Sequence, residues 1–187
     1  TGGAVQLVSR KPANDFAIEE KAGYGRFNDW YSRTRLDTGF MGGSGVKATI
    51  AYLHRQRDGY IDNTLAPDDQ DPGAYDNNAL WLGAVGEFGD RFTASYAFDW
   101  NRRNGTTTFF QLTGATPDLL NYSGQSPLFG GAPFVVSTAR LDRGQEAPFD
   151  GRFNSISETL VHNLTLEWRL RDALTIKSIS AYRSFDQ

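Results

Sequence analysis

The sequence predicts an all-β chain: part of a transmembrane antiparallel up-and-down β-barrel, contributing about seven strands. Three observations carry this prediction. Apolar residues recur at every second position and not at helical spacing. After the first hairpin, connections alternate between short turns and long polar links. Aromatic residues make up 13% of the chain and gather near strand ends, where interfacial girdles form.

The elements follow in order. Gly2-Gly3-Ala4-Val5-Gln6-Leu7-Val8-Ser9-Arg10-Lys11-Pro12 reads as one short strand leaving a compact domain. It stops where proline lacks the amide donor a ladder needs. Phe16 to Phe27 and Trp30 to Thr38 form a first hairpin that meets at Asn28-Asp29, and a glycine-rich turn, Gly39 to Gly45, leads onward. In the third strand Val46, Ala48, Ile50 and Tyr52 oppose Lys47, Thr49 and Arg55. A strand from about Ala79 to Phe88 turns at Gly89-Asp90-Arg91 into one with Phe92, Ala94, Tyr96, Phe98 and Trp100 on a single face. Leu160, Leu164, Leu166, Trp168 and Leu170 share a face that His162 interrupts. This run has the length, about 9–11 residues, at which a tilted strand crosses a bilayer. Arg171-Asp172-Ala173 then turns into a partner bearing Leu174, Ile176 and Tyr182. No stretch competes as a helix.

Composition sets the limits. The apolar fraction is 39%, with 20 glycines and 7 prolines, which is strand and turn material. Cysteine is absent, so neither a disulfide framework nor a thiolate metal site is available. A net charge of −3 without a basic stripe excludes nucleic acid as the expected partner. No apolar run is long enough for a transmembrane helix, but lipid-facing strands escape that test because only alternate residues are apolar. A soluble β-sandwich or jelly roll also alternates. Its polar face would carry the same charges found here, among them Arg33, Arg35, Asp37, Lys47, Glu87, Asp99, Glu167, Lys177 and Arg183. The short and long connections decide for the barrel, since Greek-key links would not keep that rhythm.

The residues resemble the TonB-dependent outer-membrane receptors. Gly2 to Pro12 is similar to the end of that family's plug domain, where a glycine pair, a short strand and Lys-Pro mark the passage into the barrel. Gly23-Tyr24-Gly25-Arg26-Phe27-Asn28-Asp29-Trp30 resembles its first hairpin, and Ala51 to Asn63 its third strand running into an Arg-Asp-Gly-Tyr loop. Leu166-Glu167-Trp168-Arg169-Leu170 with Leu174 to Arg183 resembles a further hairpin. The resemblance implies that residues 1–15 are the end of a plug domain and its hinge, with Ala13 to Asp15 as the hinge proper. Residues 16–187 would then be the N-terminal part of a roughly 22-stranded barrel, with the TonB box and most of the plug outside the chain.

The function so implied is active uptake of a bulky, scarce nutrient across the bacterial outer membrane, most often a ferric siderophore. The partners are outer-membrane lipid, the TonB complex acting on the plug region, and the chelate itself. No cofactor and no enzymatic activity are expected. Candidate ligand-binding residues lie on the long-loop rim: Arg55, Arg57 and Tyr60 at one strand end, Arg102 and Arg103 at another, and Phe109, Phe110 and Tyr122 in the longest loop. Cations and aromatics suit an anionic, partly aromatic chelate. The alternatives are a soluble extracellular all-β binding module, lectin-like or adhesive, and a passive porin.

Other chemistry is weaker. Asp62, Asp68, Asp69, Asp71 and Asp76 crowd one loop but lack EF-hand spacing. His54 and His162 stand apart from any metal or nucleophile motif, and His162 is expected at a strand end near the headgroups. Gly42-Gly43-Ser44-Gly45-Val46-Lys47 reads as a turn, because no Gly-Lys-Ser/Thr opens a helix.

Overall fold

Alternation along a strand separates two faces, and cross-strand register carries each face from one strand to the next. The computed structural model describes residues 10–63, 70–106, 114–125, 145–147 and 154–187. In chain order the elements are β1 (Phe16–Tyr24), a 3₁₀ turn (Arg26–Asn28), β2 (Trp30–Phe40), β3 (Val46–Arg57), β4 (Ile61–Asn63), β5 (Tyr75–Phe88), β6 (Phe92–Thr106), α1 (Pro117–Gln125), β7 (Gln145–Ala147), β8 (Asn154–Arg171) and β9 (Leu174–Asp186). They divide into two units. The first comprises Thr1–Asp58, Tyr75–Gly105 and Asn154–Gln187; the second comprises Gly59–Ala74 and Thr106–Phe153.

The first unit is one sheet of seven strands in the order β1-β2-β3-β5-β6-β8-β9, which is chain order with the two short strands omitted. Consecutive neighbours pair antiparallel where their register is resolved. This is the expected all-β, up-and-down partial barrel. One rim carries the tight turns between β2 and β3, β5 and β6, and β8 and β9; the long connections leave from the other.

Register separates the faces. Ile18, Leu36, Ile50, Leu82 and Phe98 form one cross-strand row. Glu19, Arg35, Ala51, Trp81 and Asp99 form the adjacent row on the opposite face. Among the described residues no second layer covers the apolar face: Phe16, Ile18, Ile50, Tyr52, Trp168 and Ile176 are all exposed. Among the described residues, Ile61 and Val85 are the buried hydrophobic ones. A single sheet cannot close a core on itself, and the described residues enclose none on this face.

Within the second unit, β4 and β7 pair in parallel. Tyr60 N–H donates to the Pro72 carbonyl at 3.0 Å, and Asn63 N–H to the Asp71 carboxylate at 2.8 Å.

Four expectations are corrected. First, a helix exists: Pro117–Gln125 begins with Thr116 Oγ1 accepting from Leu119 N–H, proline at the first position and Asp118 in the first turn. These are strong start signals that the surrounding strand pattern obscured. Second, β1 stops at Tyr24 and not Phe27, because Phe27 and Asn28 adopt φ of 63° and 49°, which no strand can hold. Third, the long links, expected from Arg57 to Asn78 and from Asn104 to Glu158, are shorter, because β5 begins at Tyr75 and β8 at Asn154. The polar start of β5, Tyr75 to Asn78, pairs with β3 and β6 even though it looks like loop. Fourth, His162 lies mid-strand in β8. Its Nδ1 is 2.7 Å from the Tyr96 hydroxyl, and the rings of Phe98 and Tyr182 lie 5.1 and 6.2 Å away. The hydrogen bond and the rings supply what a headgroup position would have supplied.

Candidate functional site

Two constellations stand on the charged face of the first unit. At the long-loop rim the register sets Arg57 opposite Tyr75, and both Arg55 and Arg103 opposite Asn77. Alternation and diagonal proximity therefore aim three guanidinium groups at one ring. Their central carbons lie 4.9 Å (Arg57), 5.1 Å (Arg103) and 5.8 Å (Arg55) from the Tyr75 centroid. Each distance is within cation–π range. Asp29, in the β1–β2 turn, takes the Arg55 fork with N–O distances of 2.9 and 2.8 Å. Hydrogen bonding to Arg55 holds the Asp29 carboxyl below its ordinary value of 3.8, against an opposing effect of burial, and the charges of Arg55 and Arg57 add to the lowering. Among the described residues, Arg103 makes the ring contact and no ion pair.

The expected rim residues thus separate. Arg55, Arg57 and Arg103 are gathered. Arg102 falls on the opposite, apolar face because it neighbours Arg103, and there it sits 4.0 Å from Glu158, which also accepts from the Trp100 indole N–H at 3.1 Å. Tyr60 and Tyr122 belong to the second unit, Tyr122 on α1. Phe109 and Phe110 lie outside the described residues. Tyr75, the centre of the cluster, is absent from the expected set. Its signal was the tyrosine opening the polar run Tyr75-Asp76-Asn77-Asn78, which reads as loop until the ladder is known.

The second constellation lies nearer the short-turn rim. Arg35 and Asp37, two apart on β2, point to the same side, and Arg35 Nε and NH2 donate to the two Asp37 oxygens at 2.8 Å each. Both are buried, at 6% and 2% exposure, as is Thr49, whose hydroxyl donates to Asp37. This pair is therefore out of solvent. The cover is residues 10–14. Arg35 NH2 donates to the Lys11 carbonyl at 3.2 Å, Ala13 N–H donates to Asp37 at 3.0 Å, and Lys47 Nζ donates to the Asn14 side-chain carbonyl at 2.6 Å. Gly39 permits this approach: with φ +65°, a Cβ there would meet Phe16 N at 2.8 Å and Asp15 C at 2.9 Å.

Neither constellation is a metal centre or a catalytic triad. Among the described residues, no three His, Asp or Glu side chains converge as metal ligands. Asp71 of the acidic loop is engaged by Asn63 N–H.

No family model and no curated protein matches the chain. Solved structures do. The ferric yersiniabactin uptake receptor FyuA from Yersinia pestis matches with a TM-score of 0.67 at 12% identity, over 95% of this chain and 24% of that one. The siderophore receptor PiuA from Acinetobacter baumannii matches with a TM-score of 0.63 at 16% identity, over 94% of this chain and 22% of that one. The chain spans about a quarter of the length of each. The resemblance to the receptor barrel read from the sequence therefore holds at the level of fold.

Proposed function

We propose that this chain is a stretch of barrel wall from a TonB-dependent outer-membrane receptor that takes up an anionic chelate, a ferric siderophore above all. One observation carries the reading: seven strands in chain order present an apolar face that none of the described residues covers with a second layer. A hydrocarbon solvent satisfies that face, and an antiparallel up-and-down sheet satisfies its backbone there once further strands close it into a barrel. The fold likeness to two siderophore receptors supports the same reading.

In this proposal residues 1–15 are the end of the plug and residues 16–187 the first part of the barrel. The charged face lines the lumen, and the long connections face outward from the cell. Arg55, Arg57 and Arg103 around Tyr75 bind the chelate's anionic groups and aromatic rings; Tyr60, Phe109, Phe110 and Tyr122 stay candidates on residue type alone. Arg102, on the lipid side, is left out of the ligand set. The partners are outer-membrane lipid, the chelate, and the TonB complex acting through the plug.

The test is fractionation and uptake with the whole gene product. It should leave membranes with detergent and resist high salt, and radio-iron supplied as ferric citrate or as a tris-catecholate chelate should enter cells only when TonB is present. Monomeric solubility in plain buffer would favour the soluble binding module. Undiminished uptake without TonB would favour the passive porin.

A further inference from the structure

The Arg35–Asp37–Thr49 cluster does something a structural ion pair need not do: it reads the backbone of another segment. Asp37 accepts from Ala13 N–H, and Arg35 donates to the Lys11 carbonyl, so a main-chain donor and a main-chain acceptor are held by one buried pair. Asn14 is held twice more, through its side chain by Lys47 and through its carbonyl by Phe40 N–H at 3.1 Å. Pro12, between these contacts, is buried. One residue earlier the grip ends. Arg10 pairs with Glu19 at 3.5 Å, but the two side chains are 63% and 37% exposed. An exposed ion pair of that kind holds little, whereas breaking a buried one leaves uncompensated charge.

We propose that this cluster is a main-chain clamp that stays closed while the chain ahead of it moves. The clamp fixes Lys11 to Asn14 on the barrel wall, and the pivot lies at the Arg10–Lys11 junction, ahead of Ala13 to Asp15. This inference rests on the uptake reading, in which force is applied to the segment preceding the barrel. Under such a force the exposed Arg10–Glu19 contact yields first and displacement stops at the buried pair. The wall and its lining are then undisturbed while the lumen opens.

The experiment uses the whole receptor in its native membrane. Asn14→Cys with Lys47→Cys is joined by a short, reducible thiol-to-thiol crosslinker, and uptake of radio-iron as ferric citrate or a tris-catecholate chelate is followed before and after reduction. In parallel, maleimide labelling compares Ala13→Cys with Arg10→Cys in energised cells. A closed clamp predicts unchanged uptake with the crosslink in place, and labelling at position 13 slower than at position 10 by about tenfold or more. The double variant Arg35→Met with Asp37→Leu replaces the pair by apolar side chains of similar size, which leaves the fold intact. Thr49 keeps its bond to the Leu36 carbonyl in that variant. Labelling at position 13 should then rise to the rate at position 10.

Uptake that stops on crosslinking and returns on reduction overturns the clamp and leaves the uptake reading standing. A receptor that takes up neither chelate before crosslinking defeats the uptake reading instead. The labelling then decides the clamp alone: equal rates at positions 13 and 10 overturn it, and a slow rate at 13 released by the double variant supports it.

Discussion

The Arg55 guanidinium closes a two-point fork on the Asp29 carboxylate, with N–O distances of 2.9 and 2.8 Å, and so ties the rim end of β3 to the β1–β2 turn. Asp29 has its pKa lowered from 3.8 in the folded protein by that fork. A lowered carboxylate pKa means that the stabilisation is complete above 3.8 and lost as pH falls through the folded-state value. Asp29→Asn should remove this acid-dependent component and cost about 0.2–1 kcal/mol near neutrality, the range for partly exposed pairs. Denaturant unfolding in detergent between acid and neutral pH measures both.

Tyr75 should matter more to ligand than to fold. Replacing it by leucine removes the ring that orders three guanidinium groups while keeping apolar bulk on the strand. At about 0.5–2 kcal/mol for a cation–π contact, chelate affinity should fall about 2- to 30-fold. Arg103→Gln should act in the same direction, and Arg102→Gln should leave affinity unchanged because its side chain is on the other face. Titration of the purified receptor with ferric chelates reads all three.

The pair His162 and Tyr96 tests whether the apolar face meets lipid. Tyr96→Phe takes away the hydroxyl 2.7 Å from His162 Nδ1. In hydrocarbon this should cost about 1–3 kcal/mol, since a polar group is left unpaired. Adding His162→Leu to the Tyr96→Phe variant should recover stability, because it removes the polar group left unpaired. Unfolding in lipid vesicles distinguishes them; equal and small effects would place this face in water.

Leu82→Arg and Ser95→Arg put the same charge on opposite faces. The first should destabilise the folded protein in vesicles by about 2–4 kcal/mol, the cost of arginine near the midplane of a barrel's lipid face. The second should be nearly silent, because Ser95 is on the charged side opposite Val85. A comparable cost at both sites would contradict the assignment of faces.

Gly39→Ala should loosen the clamp from beside it. A left-handed φ of +65° costs a Cβ-bearing residue about 1–2 kcal/mol. The new methyl also meets main chain near Asp15 and Phe16, which cannot swing away. Lower stability together with faster labelling of a cysteine at position 13 is the expected outcome.

The period-2 pattern made the seven long strands and their two faces legible from sequence, because a buried or lipid-facing position must recur at every second residue whatever the strand's neighbours are. The tight turns were legible for a similar reason: Gly39 to Gly45 and Gly89-Asp90-Arg91 need conformations that glycine supplies locally. The helix Pro117–Gln125 was announced only by its cap and first turn, too little signal against a chain of strands. Strand ends such as Tyr75 were illegible because a polar residue in a ladder and one in a loop look alike. The rim arginines were recognisable as residue types. Their grouping was not, since Arg102 and Arg103 differ only in which way one strand points them.

By itself the sequence determined the class of the protein: alternating strands, short turns at one rim, long polar links at the other, and a charged face opposite an apolar one. Those are local properties, written in side-chain period and turn chemistry. Only the tertiary structure decided that Tyr75 is the centre of the rim cluster and that Arg35 and Asp37 are buried. Both depend on cross-strand register and on a segment returning over the sheet, relationships between residues far apart in the chain. No local pattern encodes them.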